Sequence, residues 1–216
     1  MNVGGLITRI FKSGNNNDGV PFRATPLSSQ SVAQTEAPYF ELSRSGKRFH
    51  GGTQTITNGI APVQVLPTTA ATLALYNNDS NGNGLALVLD WLNVFLGSGV
   101  PAAGLTVMFS VAKPITPPTT NTTGHSSGAL SGTANGSKAL WGAALTIPAN
   151  AAWSALVSTF QPAAANVGQG DNYIDLAGRI VIPPGYALCL AVFSGLGTSP
   201  LYGVSAQWSE IETDLV

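Results

Sequence analysis

From Thr53 to Ile211 the chain alternates short β-branched and apolar runs with Gly, Pro and Asn. That rhythm predicts strands at Thr53–Thr57, Ile60–Leu66, Thr72–Tyr76, Leu85–Leu96, Leu105–Ala112, Lys138–Ile147, Ser154–Phe160, Tyr173–Ile182, Tyr186–Phe193 and Tyr202–Ile211. Sustained helical periodicity is scarce, and Ala149–Val157 is the one stretch compatible with a helical turn. Many short strands at this spacing predict an all-β, antiparallel β-sandwich or barrel. In Ile182-Pro183-Pro184-Gly185-Tyr186, Pro184 fixes φ and Gly185 accepts positive φ, so a type II turn is expected, and with it a hairpin joining the flanking strands. Asn77 to Gly84 reads as a longer polar tip.

The faces of these strands differ. Leu85–Leu89 and Tyr186–Phe193 are apolar on both sides, so the second face, with Ala187, Cys189, Ala191 and Phe193, needs cover from a loop, the arm or a neighbouring subunit. In the last strand Tyr202, Val204, Ala206 and Trp208 share one side, and Ser205, Gln207 and Ser209 share a side that can stay wet. Pro117–Gly128 is a low-complexity loop of small polar residues. Residues 1–50 lack periodicity and carry Pro21, Pro26 and Pro38 among Ser, Gln and Thr, the pattern of an extended arm preceding a sandwich domain at 51–216.

Composition changes this picture in two ways. Charged residues are 9% of the 216, where about a quarter is usual, so the exterior is built from uncharged polar residues and suits an assembled subunit better than a free monomer. The few charges are also unevenly placed: residues 1–48 hold six basic and three acidic groups, the remainder three basic and seven acidic. A basic arm ahead of an acidic body predicts that the arm lies on another molecule or on the body of a neighbouring copy, and Glu210-Ile211-Glu212-Thr213-Asp214, read as an acidic exit from the last strand, is a candidate receiver for it. The net charge of −1 excludes a strongly electrostatic partner, so neither nucleic acid nor membrane is expected. One Cys rules out a disulfide framework, and the N-terminal pattern is not that of a signal peptide, so synthesis in a reducing cytoplasm is the expectation.

Candidate chemistry is sparse. Gly124-His125-Ser126-Ser127-Gly128 matches the nucleophile-elbow pattern, but no buried strand leads into it and no helix follows. Asp79, Asn81, Asn83 and Asp90 fit the ligand spacing of a calcium loop, against strand-like flanks and an Asp where a bidentate Glu is usual, so a turn tip is the preferred identity. Cys189 alternates within an apolar strand and reads as a small buried hydrophobe. His50 and His125 have no ligand-spaced companions, and Asp175 and Glu210 would meet only if their strands were neighbours. No catalytic residue, metal or cofactor is expected.

The run Gly59-Ile60-Ala61-Pro62-Val63, then Leu66-Pro67-Thr68-Thr69-Ala70-Ala71-Thr72-Leu73-Ala74-Leu75-Tyr76-Asn77, with Ile182-Pro183-Pro184-Gly185 and Trp208-Ser209-Glu210-Ile211 near the end, resembles virion structural proteins of tailed bacteriophages. Within that group the chain is similar to capsid-decorating, or cement, proteins of jelly-roll type. The resemblance implies a trimeric, non-enzymatic sandwich on the outside of a capsid, made in the host cytoplasm and bound to the major capsid protein. The arm would contact its partner through Leu6, Ile10, Phe11, Phe22, Tyr39, Phe40, Arg44, Lys47 and Arg48. Two rivals stand beside it. One is a tail, baseplate or head-fibre domain that contacts host-surface glycan, and the other a carbohydrate-binding module that uses Trp91, Trp141, Trp153 or Trp208 as its platform.

Overall fold

The computed structural model describes residues 23–24, 30–31, 42–43, 45–53, 59–79, 84–99, 105–118, 125–127, 136–142, 145–149, 151–159, 172–194 and 200–212. Two compact units divide the chain at Pro38 and Tyr39. In the first, β1 (Arg23–Ala24) pairs antiparallel with β2 (Gln30–Ser31). The second holds β3 (Arg48–Gly52), β4 (Ala70–Ala71), β5 (Leu73–Asn77), β6 (Leu85–Ser98), β7 (Leu105–Ala112), β8 (His125–Ser127) and β9 (Ala139–Trp141). It continues with β10 (Leu145–Thr146), β11 (Ser154–Thr159), β12 (Asn172–Asp175), β13 (Val181–Ile182), β14 (Ala187–Ser194) and β15 (Leu201–Glu212).

These strands form two facing antiparallel sheets. The larger runs β12-β6-β15-β3-β8, with β13 also on β6, and the smaller runs β11-β7-β14-β5-β9. Taking β12 and β13 as one interrupted strand, the order β12-β6-β15-β3 opposite β11-β7-β14-β5 is a jelly roll, in which two Greek keys are wound together. The core lies between the sheets. Leu87, Leu89, Leu92 and Val94 from β6 meet Leu188, Leu190 and Val192 from β14, and Leu73, Leu75, Leu105 and Val107 complete the layer. Trp208 of the larger sheet stacks on Trp141 of the smaller at 6.1 Å between ring centroids, and on Phe49 at 6.3 Å.

A third, partial layer covers the outer side of the smaller sheet. The ribbon β4-β10, with Ile147, Ala151 and Trp153, packs on Ala74, Tyr76, Ala187 and Cys189. The second apolar face expected on β14 is therefore sealed in large part by the same chain. Burial pushes the Cys189 thiol up to about 12, which keeps it an inert hydrophobe.

Several local expectations fail for the same reason: strand propensity is local, whereas pairing is not. The turn after Ile182 forms, with Gly185 at φ 75° and the Tyr186 N–H donating to the Pro183 carbonyl at 3.1 Å. It joins no hairpin, because β13 pairs with β6 in one sheet and β14 lies in the other. Lys138–Ile147 splits into β9 and β10, which belong to different sheets. Ile60–Leu66 is a crossover that makes only two bridges, Ile60 to Tyr202 in the larger sheet and Val63 to Phe193 in the smaller. Within Ala149–Val157 the Ala151 N–H closes one turn on the Pro148 carbonyl, and the chain is extended from Ser154.

At the N-terminal edge of the second unit, the Lys47 N–H donates to the Leu42 carbonyl and the Gly46 N–H to the Ser43 carbonyl. With Gly46 at φ 71°, this is the hydrogen-bond pattern of a Schellman cap. It delivers Lys47 and Arg48 into the sheet, two residues placed in the arm by the sequence. Leu6, Ile10, Phe11, Phe22, Tyr39, Phe40 and Arg44 lie outside the described residues.

Candidate functional site

The most elaborate polar arrangement lies on the outer face of the larger sheet and originates in a bulge. Gln207 pairs with Trp91 and the next residue, Trp208, pairs with Leu89, which leaves Asp90 as an extra residue in β6. Before the bulge the inward positions of β6 are Leu87 and Leu89, and after it they are Leu92 and Val94. The register shift turns Trp91 and Asn93 to the outer side and places Asp90 among them. The neighbouring segment fits the bulge. The Leu176 and Ala177 N–H groups donate to the Asp90 carbonyl at 2.9 Å each, and Ala177 and Gly178 take φ of 45° and 77°. This loop is why the predicted strand Tyr173–Ile182 is interrupted.

Asp90 is 4% exposed. Its Oδ2 accepts from Arg48 Nε at 3.0 Å and from Ser209 Oγ at 3.5 Å. Burial raises its pKa, opposed by Arg48 and Ser209 and reinforced by the nearby charge of Asp175. Arg48 Nη2 and Trp91 Nε1 both donate to Gln207 Oε1, at 3.0 Å and 2.6 Å. Two donors fix the orientation of that amide, so its nitrogen faces away from them. Trp91 also contacts Tyr173, with ring centroids 5.8 Å apart and the planes tilted by 38°. In register, Asp175 lies opposite Trp91, Tyr173 opposite Asn93, Ser205 opposite Asn93 and His50 opposite Gln207. Phe95 lies over Gly203, whose missing side chain makes the room.

Arg48, expected in a partner-binding arm, is thus held by Asp90 and Gln207 of its own unit. Lys47 is exposed and lies 3.8 Å from Glu212, so the acidic end of the last strand meets a basic residue of the same chain. Glu210 is buried and accepts from Ser137 Oγ at 2.6 Å and the Lys138 N–H at 2.8 Å, with its pKa raised by burial against those bonds. It does not meet Asp175, because β6 separates β12 from β15.

The calcium spacing is undone by extension. Asp79 Oδ2 accepts the Leu85 N–H at 3.0 Å, and from Leu85 the strand carries Asp90 five residues onward, about 17 Å at the rise of an extended chain. The two carboxylates cannot share an ion, and Asn81 and Asn83 lie outside the described residues. No cluster of three or more His, Cys, Asp or Glu suited to a metal occurs among the described residues. His125–Ser127 forms the edge strand β8 on β3, not a strand-to-helix elbow. Among the Trp candidates, Trp141 and Trp208 are fully buried, and Trp153 donates to the Pro67 carbonyl within the third layer. Trp91 alone of the four stands on the outer polar face. Tyr173, Asn93 and Gln207 were not singled out as site residues by the sequence, and the signal available was the polar side of the last strand, Ser205, Gln207 and Ser209.

No protein-family model, curated protein or solved structure matches the chain. Among the described residues no helix is long and apolar enough to cross a membrane.

Proposed function

We propose that the protein is a non-enzymatic virion structural protein that decorates and stabilises a phage head as an oligomer. The observation that carries this reading is the jelly-roll strand order, an architecture of viral capsid and lectin domains, in a chain with so few charges. Support also comes from the phrases that resemble phage decoration proteins, and from the division of the chain into Met1–Pro38 and a second unit that holds the sandwich. Because the outer side of the smaller sheet is covered in large part by the chain itself, docking falls to the arm and to exposed apolar positions such as Val65 (77% exposed) and Ile115 (67%).

The physical basis is area. Ordering an arm costs about 1–2 kcal/mol of backbone entropy per residue, which apolar anchors must offset by burial on the partner. The described residues within 1–38 add no strand to either sheet of the sandwich, so the truncated protein should still fold yet fail to sediment with phage heads. Immunogold labelling of purified particles should find the full chain on the head. Retained sedimentation after truncation assigns docking to the sandwich, and absence of label from the particles refutes the virion role.

A further inference from the structure

We propose that the outer face of the larger sheet, centred on Trp91 and Tyr173, is a glycan-binding platform for a neutral pyranose. This assignment does not rest on the virion role. A pyranose offers a face of C–H groups and a rim of hydroxyls that both donate and accept, so its natural site is an open aromatic surface bordered by planar polar side chains.

That combination occurs at Trp91. Tyr173 is 60% exposed and contacts the half-buried indole, giving an apolar surface open to water. On one side Gln207 has its carbonyl oxygen occupied by Arg48 and Trp91, which leaves its N–H groups as oriented donors facing away from both. On the other, Asp175 is exposed and in register with Trp91, and its Oδ1 accepts the Ala177 N–H at 3.1 Å, which orients the carboxylate. Beside Trp91 in β6, Asn93 Oδ1 and Asp90 Oδ1 are buried and accept no hydrogen bond among the described residues. Buried acceptors are ordinarily satisfied, so two on either side of one indole mark unused bonding capacity at this spot.

Charge selects the ligand class. Arg48 is engaged by Asp90, so among the described residues in register with Trp91 and Gln207 the remaining ionisable groups are Asp175 and His50, too few and too mixed to favour a polyanion or a polycation. A neutral hydroxylated ligand matches what remains. Trp141, Trp208 and Trp153 are committed to packing and take no part.

The test is a tryptophan-fluorescence titration of the full chain with cellohexaose, maltohexaose and chitohexaose, backed by an array of neutral glycans. Saturable binding is expected, weakened about tenfold or more in Tyr173→Ala and in Gln207→Ala, the loss of one stacking or hydrogen-bonding contact. Tyr186→Ala, an exposed aromatic in the turn before β14, should bind like the parent, and thermal melting of all variants checks that the fold is retained. No saturable binding at millimolar oligosaccharide overturns the proposal, as does equal affinity in Tyr173→Ala. Two further outcomes replace it: binding of choline without any sugar makes the face a cation site, and loss of an oligomer in Tyr173→Ala by sedimentation makes it a contact between copies. Failure of the sugar titration leaves particle labelling unaffected, and the reverse also holds, so the two readings fail separately.

Discussion

Asn77 ties three segments together at the end of the core, and its replacement is the sharpest test of how the two sheets are joined. The residue is fully buried. Its Nδ2 donates to the Leu85 carbonyl at 2.7 Å and the Ile182 carbonyl at 2.9 Å, and its Oδ1 accepts the Asp79 N–H at 3.1 Å. The backbone adds a pair of bonds across the Pro-Pro-Gly turn, Asn77 N–H to Tyr186 and Gly185 N–H to Asn77. Asn77→Ala keeps the backbone pair and strands two carbonyls and one N–H. Each buried group left without a partner costs about 1–3 kcal/mol. The Leu85 contact is only part-buried and water can replace some of it, so a loss of about 3–5 kcal/mol is expected. That is a large share of the roughly 5–15 kcal/mol of a whole domain. At a urea slope of about 2 kcal/mol per molar, the unfolding midpoint should fall by about 1.5–2.5 M with the slope unchanged. Asn77→Asp should be no better at neutral pH, because it aims a carboxylate at two carbonyl oxygens. The neighbouring exposed Asn78→Ala should lie within about 0.5 kcal/mol of the parent. A loss below about 1 kcal/mol in Asn77→Ala would refute the role assigned to this corner.

Two other outcomes are open to measurement. Asp90 and Glu210 both have pKa values raised by burial, so the folded state holds their protons more tightly than the unfolded state. Their contribution is therefore present below the ordinary carboxylate range and is lost as pH rises through the raised values. Melting temperature should fall as pH rises above the ordinary carboxylate range, about 4, relative to an Asp90→Asn, Glu210→Gln double variant, and parallel profiles for the two proteins would contradict this. Gly203→Ala should destabilise, because a methyl group there falls within the Phe95 ring, and adding Phe95→Ala should recover part of the loss in a double-mutant cycle. Additive losses would show that the ring is free to move aside.

The period-two pattern was enough to place the long strands. Leu105–Ala112 is the strand anticipated, and Leu85–Leu96, Tyr186–Phe193 and Tyr202–Ile211 differ from β6, β14 and β15 only at their ends. Alternation is a property of neighbouring residues, and the sandwich class follows from it. The Pro-Pro-Gly turn was equally legible, since Pro and Gly restrict φ wherever the chain leads.

Pairing was not legible, because it depends on surfaces far apart in sequence. Nothing local distinguishes a hairpin after Ile182 from a crossing between sheets, and only the tertiary structure sends β13 to β6 and β14 to β5 and β7. The candidate site followed the same division. Trp91 stood out by type, one of four. Asp90 fitted the spacing of a calcium loop until an extended strand removed it from Asp79, and Arg48 looked like part of a partner-binding arm until β3 set it beside that carboxylate. One extra residue in β6 shifts the alternation by a position, and that shift turns Trp91 and Asn93 toward Tyr173 and Gln207. Composition and periodicity determined the class of fold; packing of distant strands decided which side chains share a face, because contact free energy depends on distance in space and not along the chain.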